Sequence, residues 1–382
     1  MNPFTGATER DLARAVAEWS ATLAERIPAA EKEGSLPPDL IAELGRLGVL
    51  GMTIPEADGG LGASAVAFAL VLEELSAAWP SLAVGVAVNS GIVAGSIVRY
   101  GTAAQRRRWL PRLIDGAGLG AFALTEATSG SDAASLRTTA RRDGSGWRID
   151  GRKQFITNAR YAPFAIVLAR VGAMEPQRSS AGITAFIVPL DAPGVSVGPP
   201  ERKLGLRASD TSALILEDAR VGDDAVLGEV GKGFAIAMSG LDGGRIGIAA
   251  QSVGIARRAL ELARAYAKER KQFGRPIADF EGLRFRMAKA ESDLAAARLL
   301  ALRAAWLRDR GRPFTREAAM AKLYASEMAQ RATHAAVQIL GGNGYMRDYA
   351  VERYARDGRA TTIYEGTSEI QRIVIARSLL AA

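Results

Sequence analysis

The spacing of apolar residues changes twice along the chain, and those two changes limit its fold more than any single motif does. From Thr8 the residues Leu12, Val16, Trp19, Leu23 and Ile27 step by three and four, the mark of one amphipathic helical face. A second helix is predicted after Pro37-Pro38, ending at Gly48. Gly51 to Gly62 reads as a glycine-rich loop, and Ser64 to Ala78, Ser81 to Tyr100 and Ala103 to Asp115 return to helical spacing. After Gly120 the period shortens. Trp147-Arg148-Ile149-Asp150-Gly151 reads as strand and turn, and Phe164 to Arg170, Gly182 to Leu190 and Thr211 to Glu217 read as short Ile- and Val-rich strands punctuated by Pro and Gly. No long helical pattern separates them, so an antiparallel sheet is expected. From Gly233 the helical period returns in Asp242 to Lys268, Asp279 to Arg308, Thr315 to Leu340 and Gly366 to Leu380, as in the antiparallel helices of a bundle. The expected architecture is therefore α+β and multidomain. An N-terminal α-helical domain covers 1–120, a middle antiparallel β domain 121–230 and a C-terminal four-helix bundle 231–382.

At 382 residues the chain exceeds the size at which one hydrophobic core stops growing, which agrees with several domains. It has no cysteine, which excludes disulfides, thiolate zinc sites and thiol catalysis. Its one histidine, His334, lies in an apolar helical run and reads as a packed structural residue. No histidine-based metal site or Ser-His-Asp triad is expected, and no metal is assigned. Glu9 and Asp11 precede any apolar segment, so no secretory signal is read. Leu82 to Val98, broken by Asn89, Ser90 and glycines, reads as a buried helix and not a membrane span. A cytoplasmic, membrane-free protein is expected. The net charge of +8 is spread along the sequence, which favours anionic small ligands over a nucleic-acid track.

Chemistry concentrates in a few places. Gly341-Gly342-Asn343-Gly344 and the glycines from Gly228 to Gly233 do not open a βαβ unit, so neither is a dinucleotide fingerprint. Phe122-Ala-Leu-Thr-Glu-Ala-Thr-Ser-Gly-Ser-Asp132 crowds hydroxyls at the α-to-β junction, where they can meet a phosphate or a polar ring edge. Phe155-Ile-Thr-Asn158 places an aromatic and a hydroxyl at strand spacing. Glu365, in Ile363-Tyr-Glu-Gly-Thr-Ser-Glu-Ile-Gln371, sits on a loop just before a helix. A helix N-terminus there would help keep its carboxylate ionised.

Taken in order with Leu241-Asp-Gly-Gly-Arg245, Arg270-Lys-Gln-Phe-Gly274 and Gln338-Ile-Leu-Gly-Gly-Asn-Gly-Tyr345, these segments resemble the acyl-CoA dehydrogenases, flavoenzymes that desaturate acyl thioesters. The resemblance is nearest to the short-chain, butyryl-CoA branch. It implies the helical, β and bundle order read from periodicity, and FAD held without a Rossmann motif. Phe122, Leu124, Thr125 and Ser131 would line the flavin and its phosphates, and Phe155, Ile156 and Thr157 would face its ring. Arg270, Phe273, Gln338, Gly341 and Gly342 would reach the FAD of a neighbouring subunit, and Thr367, Ser368 and Glu369 would close over it. Glu365 would be the catalytic base, with Ser131, Asp242, Arg245 and Gly366 touching the acyl-CoA.

The implied reaction is formation of a trans-2-enoyl thioester in fatty acid β-oxidation. The implied partners are an electron-transfer flavoprotein and further copies of the chain, a homotetramer built as a dimer of dimers. Three positions depart from the family pattern. Ala127 replaces a proline and would loosen its loop, Phe155 replaces a tryptophan and loses a donor, and Glu281 replaces a glutamine and would have to point away from phosphate. A carrier-protein thioester is an alternative substrate. DNA binding, known for some members of this fold, is the alternative of another class, and nucleic acid is disfavoured because the chain ends soon after Glu365.

Overall fold

The computed structural model describes residues 4–173 and 180–380. Eight helices come first: α1 (Ala7–Ala21), α2 (Ile27–Glu33), α3 (Pro38–Arg46), α4 (Ala65–Ala78), α5 (Pro80–Val86), α6 (Gly95–Tyr100), α7 (Ala103–Trp109) and α8 (Pro111–Ile114). The face read from Leu12 to Ile27 is divided between α1 and α2. Pro28 lacks the N–H that a continuing helix needs and sits instead in the first turn of α2. Between α5 and α6 the run continues as a wide π-helical stretch, Ala87–Ala94, in which every residue is buried. The run Pro80–Tyr100 has the length and apolarity to cross a membrane, yet 89% of its most apolar window is covered by the rest of the protein. It is a core helix.

The middle of the chain forms one eight-stranded sheet. Its strands are β1 (Ala121–Ala123), β2 (Thr139–Asp143), β3 (Gly146–Thr157), β4 (Phe164–Val171), β5 (Ile183–Pro189), β6 (Val195–Pro200), β7 (Thr211–Gly222) and β8 (Val226–Leu227), in the order β6-β7-β3-β2-β4-β5-β8 with β1 beside β4. Most pairings are antiparallel, as expected, but β1 and β2 each run parallel to β4. Side-chain alternation reports which face a residue takes and says nothing of the direction of the next strand. The two sheet faces bury separate cores. Phe164, Ile166 and Leu168 meet Val93, Ile97, Trp109 and Leu113 of the N-terminal helices, and Val167, Trp147, Phe186 and Leu214 close the other side.

The C-terminal part comprises α9 (Gly233–Glu269), a two-strand ribbon β9 (Lys271–Gln272) and β10 (Arg275–Pro276), α10 (Glu281–Asp309), α11 (Thr315–Leu340), α12 (Val351–Ala360) and α13 (Ser368–Leu380). α9 packs on α10, α11, α12, α4 and the π-helical stretch, so the N-terminal helices and the bundle share one core containing Leu44, Leu72, Trp79, Val253, Leu302 and Met328. His334 lies on the exposed face of α11 and is not packed, because the buried stripe of that helix runs through Ala332, Thr333 and Ala336. Ile373, Leu379 and Leu380 of α13 are largely exposed in the single chain.

Candidate active site

Glu365 lies where α9, α11 and the loop before α13 converge. Glu365 has φ 52° and Gly366 φ 90°, two successive left-handed residues. Gly366 adopts this freely, whereas a glutamate there is strained and must be held. The holding groups are identifiable. Gln371 Nε2 donates to the Glu365 carbonyl at 3.3 Å and to the Gly366 carbonyl at 2.8 Å, and Lys322 Nζ donates to the same Gly366 carbonyl at 2.8 Å. The Tyr364 hydroxyl donates to Gln251 Oε1 on α9, and Ser368 N to Thr362 O at 3.0 Å.

The Glu365 residue is half-buried, but both carboxyl oxygens are buried and neither has a hydrogen-bond partner among the described residues. Buried carboxylates are ordinarily satisfied. Burial pushes this carboxyl up to about 7, while the charges of Lys322 and Arg245 pull it back. The expected help from the helix N-terminus is absent. α13 begins at Ser368, and the Thr367 hydroxyl caps it by accepting from Ile370 N at 3.3 Å, so no α13 amide reaches the Glu365 carboxyl. Arg245 Nη1 is tied to Asp242 Oδ1, and Asp242 Oδ2 accepts from Thr315 Oγ1 at 2.6 Å. Any side chain at Gly244 would land on Glu365 Oε2, with Ile92 of the π-helical stretch 3.2 Å away. Glu365 and the wide turn thus meet α9 at the same glycine.

The hydroxyl loop is pinned from beneath. The Glu126 carboxylate accepts from Arg137 N (2.7 Å), Thr138 N (2.9 Å), Thr138 Oγ1 (2.6 Å) and Lys153 Nζ (2.7 Å), and Lys153, fully buried on β3, also donates to Leu124 O at 3.2 Å. These bonds fix the loop without the proline that Ala127 replaces; Ala127 itself is exposed. The hydroxyls of Thr125, Ser131 and Thr157 make no hydrogen bond among the described residues, and neither Ser131 nor Thr157 is buried. A bulge in the β3–β7 pairing between Lys153 and Ile156 gives Phe155 φ 60° and turns its ring out, 57% exposed, while Ile156 is buried. Phe122 on β1 is half-buried and Leu124 buried.

Arg270, Phe273, Gln338, Gly341 and Gly342 are all exposed, and a Cβ on either glycine would meet nothing within 4 Å. They sit at the far ends of α9 and α11. At 1.5 Å per residue Arg270 is about 39 Å along α9 from Gly244, and Gln338 about 24 Å along α11 from Lys322. One chain does not bring these residues to Glu365. Glu281 opens α10, exposed, where a carboxylate favours the helix N-terminus. Ser368 is buried with an unpartnered hydroxyl, and Glu369 is exposed beside Arg372.

Sequence reading missed five residues. Lys322, Gln251 and Gln371 lie on helices and are fully buried, and their only signal is a long polar side chain on an alanine-lined face, clearest in Ala321-Lys322 with Ala318 and Ala325 on the same stripe. Gly244 stood in the Leu241-Asp-Gly-Gly-Arg245 segment with no role of its own, since its need arises from a side chain more than a hundred residues away. Arg308 ends α10 with its guanidinium against Gly243, where a Cβ would come within 3.0 Å of Nη1. Burial and the neighbouring Arg99 lower its proton affinity, and the guanidinium has no hydrogen-bond partner among the described residues.

Comparison with known proteins agrees with this geometry over the whole chain. The family models for the N-terminal, middle and C-terminal domains of acyl-CoA dehydrogenase match residues 6–117, 121–219 and 231–380. The mitochondrial short-chain specific acyl-CoA dehydrogenase of Bos taurus is 46% identical over 350 residues, covering 92% of this chain and 84% of that protein. Butyryl-CoA dehydrogenase from Megasphaera elsdenii superposes with a TM-score of 0.95 at 38% identity, covering 98% of this chain and 99% of that one. A chain from structural work on the electron transferring flavoprotein of Acidaminococcus fermentans gives 0.97 at 39% identity, with complete coverage of both.

Proposed function

The chain belongs to the acyl-CoA dehydrogenase family, and from that premise we propose that it desaturates an acyl-CoA thioester between its α and β carbons, with Glu365 removing the α-proton. The observation that carries the assignment is the buried Glu365 carboxyl, set against Gly244 with no hydrogen-bond partner among the described residues and pushed up to about 7. A general base works best when its proton affinity lies near the working pH and its lone pairs are free. The Glu365 backbone N–H makes no backbone hydrogen bond among the described residues and would donate to the thioester oxygen as negative charge develops there.

The residues fit a flavin. The hydroxyls of Thr125, Ser131, Thr157 and Ser368 have no hydrogen-bond partner among the described residues, and the ring of Phe155 stands outward on a strained bulge, so polar and aromatic groups are left for a ligand to satisfy. Phe122, Leu124, Thr125, Ser131, Phe155, Ile156, Thr157 and Thr367 to Glu369 would hold FAD, which when bound supplies the acceptor for the β-hydride. Ser131, Asp242, Arg245 and Gly366 would position the thioester, and Arg308 with Arg99 would meet its phosphates.

Arg270, Phe273, Gln338, Gly341 and Gly342 would serve the flavin of a second copy. Their exposure at the far end of the bundle, with Phe273 93% exposed, supports a homotetramer in which the flavin sites are shared. Electrons would leave through an electron-transfer flavoprotein, and the enzyme would work in the cytoplasm. Residues 1–120, 121–230 and 231–382 would form its three domains. The test is Glu365→Gln in purified yellow protein mixed anaerobically with a panel of acyl-CoAs and a carrier-protein thioester. Loss of the base should slow flavin bleaching on the order of 10² to 10⁴ with FAD still bound, and an unchanged rate would refute the assignment.

A further inference from the structure

Two cations face the Glu365 carboxyl, and neither is bonded to it. Arg245, on α9, is engaged with Asp242, which is itself anchored by Thr315. Lys322, on α11, is fully buried and its single hydrogen bond among the described residues goes to the Gly366 carbonyl, 2.8 Å away. A buried ammonium with one acceptor and a buried carboxylate with no donor therefore lie at the same loop without forming a salt bridge.

A direct bond would occupy the lone pair that has to take a proton and would stabilise the ionised carboxylate too strongly for a base. A cation tethered to another acceptor supplies its field without that bond. The tether has a second effect, because the Gly366 carbonyl follows the left-handed pair Glu365-Gly366, whose conformation has to be maintained by outside contacts.

We propose that Lys322 is a positioning residue for the base: its hydrogen bond to the Gly366 carbonyl holds the Glu365 turn, and its unshared charge keeps the Glu365 carboxylate ionisable at neutral pH while leaving its oxygens free. This rests on Glu365 being the base. The other charged groups are accounted for. Arg245 faces Glu365 from α9 with its charge partly offset by Asp242, Tyr364 lies next to it in the loop, and Glu369 on α13 and Glu327 on α11 act on Lys322 from the solvent side. Gln371 holds the same carbonyl as Lys322 and carries no charge. The two functions of Lys322 can therefore be separated by substitution.

Lys322→Met, Lys322→Arg and Gln371→Leu holoenzymes should be compared by two measurements across pH 5 to 10. One is the rate of flavin bleaching by butyryl-CoA. The other, which needs no substrate, is the ionisation of the Glu365 carboxyl, seen as the infrared difference between each protein and its Glu365→Gln counterpart. Removing an opposite charge that acts on a carboxyl shifts it by about one pH unit or more. Lys322→Met should therefore raise the midpoint of both profiles by about that much, leaving the carboxyl about one-tenth ionised at pH 7 instead of half and slowing bleaching there about fivefold.

Lys322→Arg should bring the midpoint back. Gln371→Leu should lower the rate at every pH with the midpoint unmoved. If Lys322→Met does not fold, Lys322→Gln, which keeps a donor for the carbonyl, carries the same expectation. An infrared midpoint that stays in place when the Lys322 charge is removed overturns the proposal. A wild-type enzyme that titrates as expected but is not bleached by any thioester overturns the dehydrogenase assignment instead.

Discussion

Gly244→Ala separates stability from catalysis at this site. Ala is favoured over Gly inside a helix by about 1 kcal/mol, and Gly244 lies within the 37-residue helix α9. The added methyl would land on Glu365 Oε2, within 2.9 Å of its Cδ, and 3.2 Å from Ile92 Cδ1. Overpacking a core typically costs about 1 to 3 kcal/mol. Here the clashing atoms are the free end of a flexible side chain with no hydrogen bonds to lose, so the carboxyl swings aside and most of the strain is relieved. The helix gain and the residual strain roughly cancel, leaving stability within about 1 kcal/mol of wild type.

Catalysis does not share that tolerance. Displacing a reacting group by about 1 Å costs on the order of 10² in rate. Stopped-flow bleaching with saturating butyryl-CoA should fall by about that factor, while thermal melting and FAD content stay near wild type. A bleaching rate within threefold of wild type, or a loss of rate accompanied by unfolding, would show that Gly244 does not fix the carboxyl.

Three further outcomes follow from the same structure. Lys153→Met leaves the Glu126 carboxylate buried without its cation, which costs about 3 to 5 kcal/mol; chemical denaturation should show that loss, and FAD should dissociate more readily as the hydroxyl loop comes free. Asp357, fully buried with Oδ1 accepting from Leu206 N at 2.6 Å and Oδ2 unpartnered, is pushed up to about 7 by burial and by Glu31. With the folded group raised above its unfolded value of 3.8, its contribution to stability is complete below about pH 4 and is lost as pH rises through about 7. Asp357→Asn should therefore gain on wild type in denaturant midpoint as pH passes from 5 to 8, with about 2.7 kcal/mol as the ceiling set by the two units between pH 5 and 7. Arg308→Ala should raise KM for acyl-CoA about tenfold with kcat retained and leave the matching pantetheine thioester unaffected; equal losses for both would place Arg308 away from the phosphates.

Much of this was legible in the sequence because it is local. The switch from a period of three to four residues to a period of two and back located the helical, sheet and bundle segments, since each period reflects which side chains a helix or strand buries. Thr315–Leu340 was bounded to the residue. Pro28 shows a limit of that reading, because an apolar stripe can continue through a chain break that only the missing N–H enforces. The parallel placement of β1 and β2 beside β4 was not legible, because strand direction is set by connections and not by side-chain alternation.

At the site the sequence determined which groups are available: a carboxylate between an aromatic and a glycine, hydroxyls at a domain junction, and an aromatic on a strand. Tertiary structure decided what those groups can do. It turned Phe155 outward through a bulge, replaced the expected helix terminus at Glu365 with burial balanced against two cations, and placed Lys322, a lysine on an alanine-lined helix, at the Gly366 carbonyl. It also left Gly244 no room for a side chain. The proton affinity of a carboxyl depends on what surrounds it in space, and the groups that set it here come from α9, α11 and the loop before α13, segments spread over more than a hundred residues whose meeting no local pattern records.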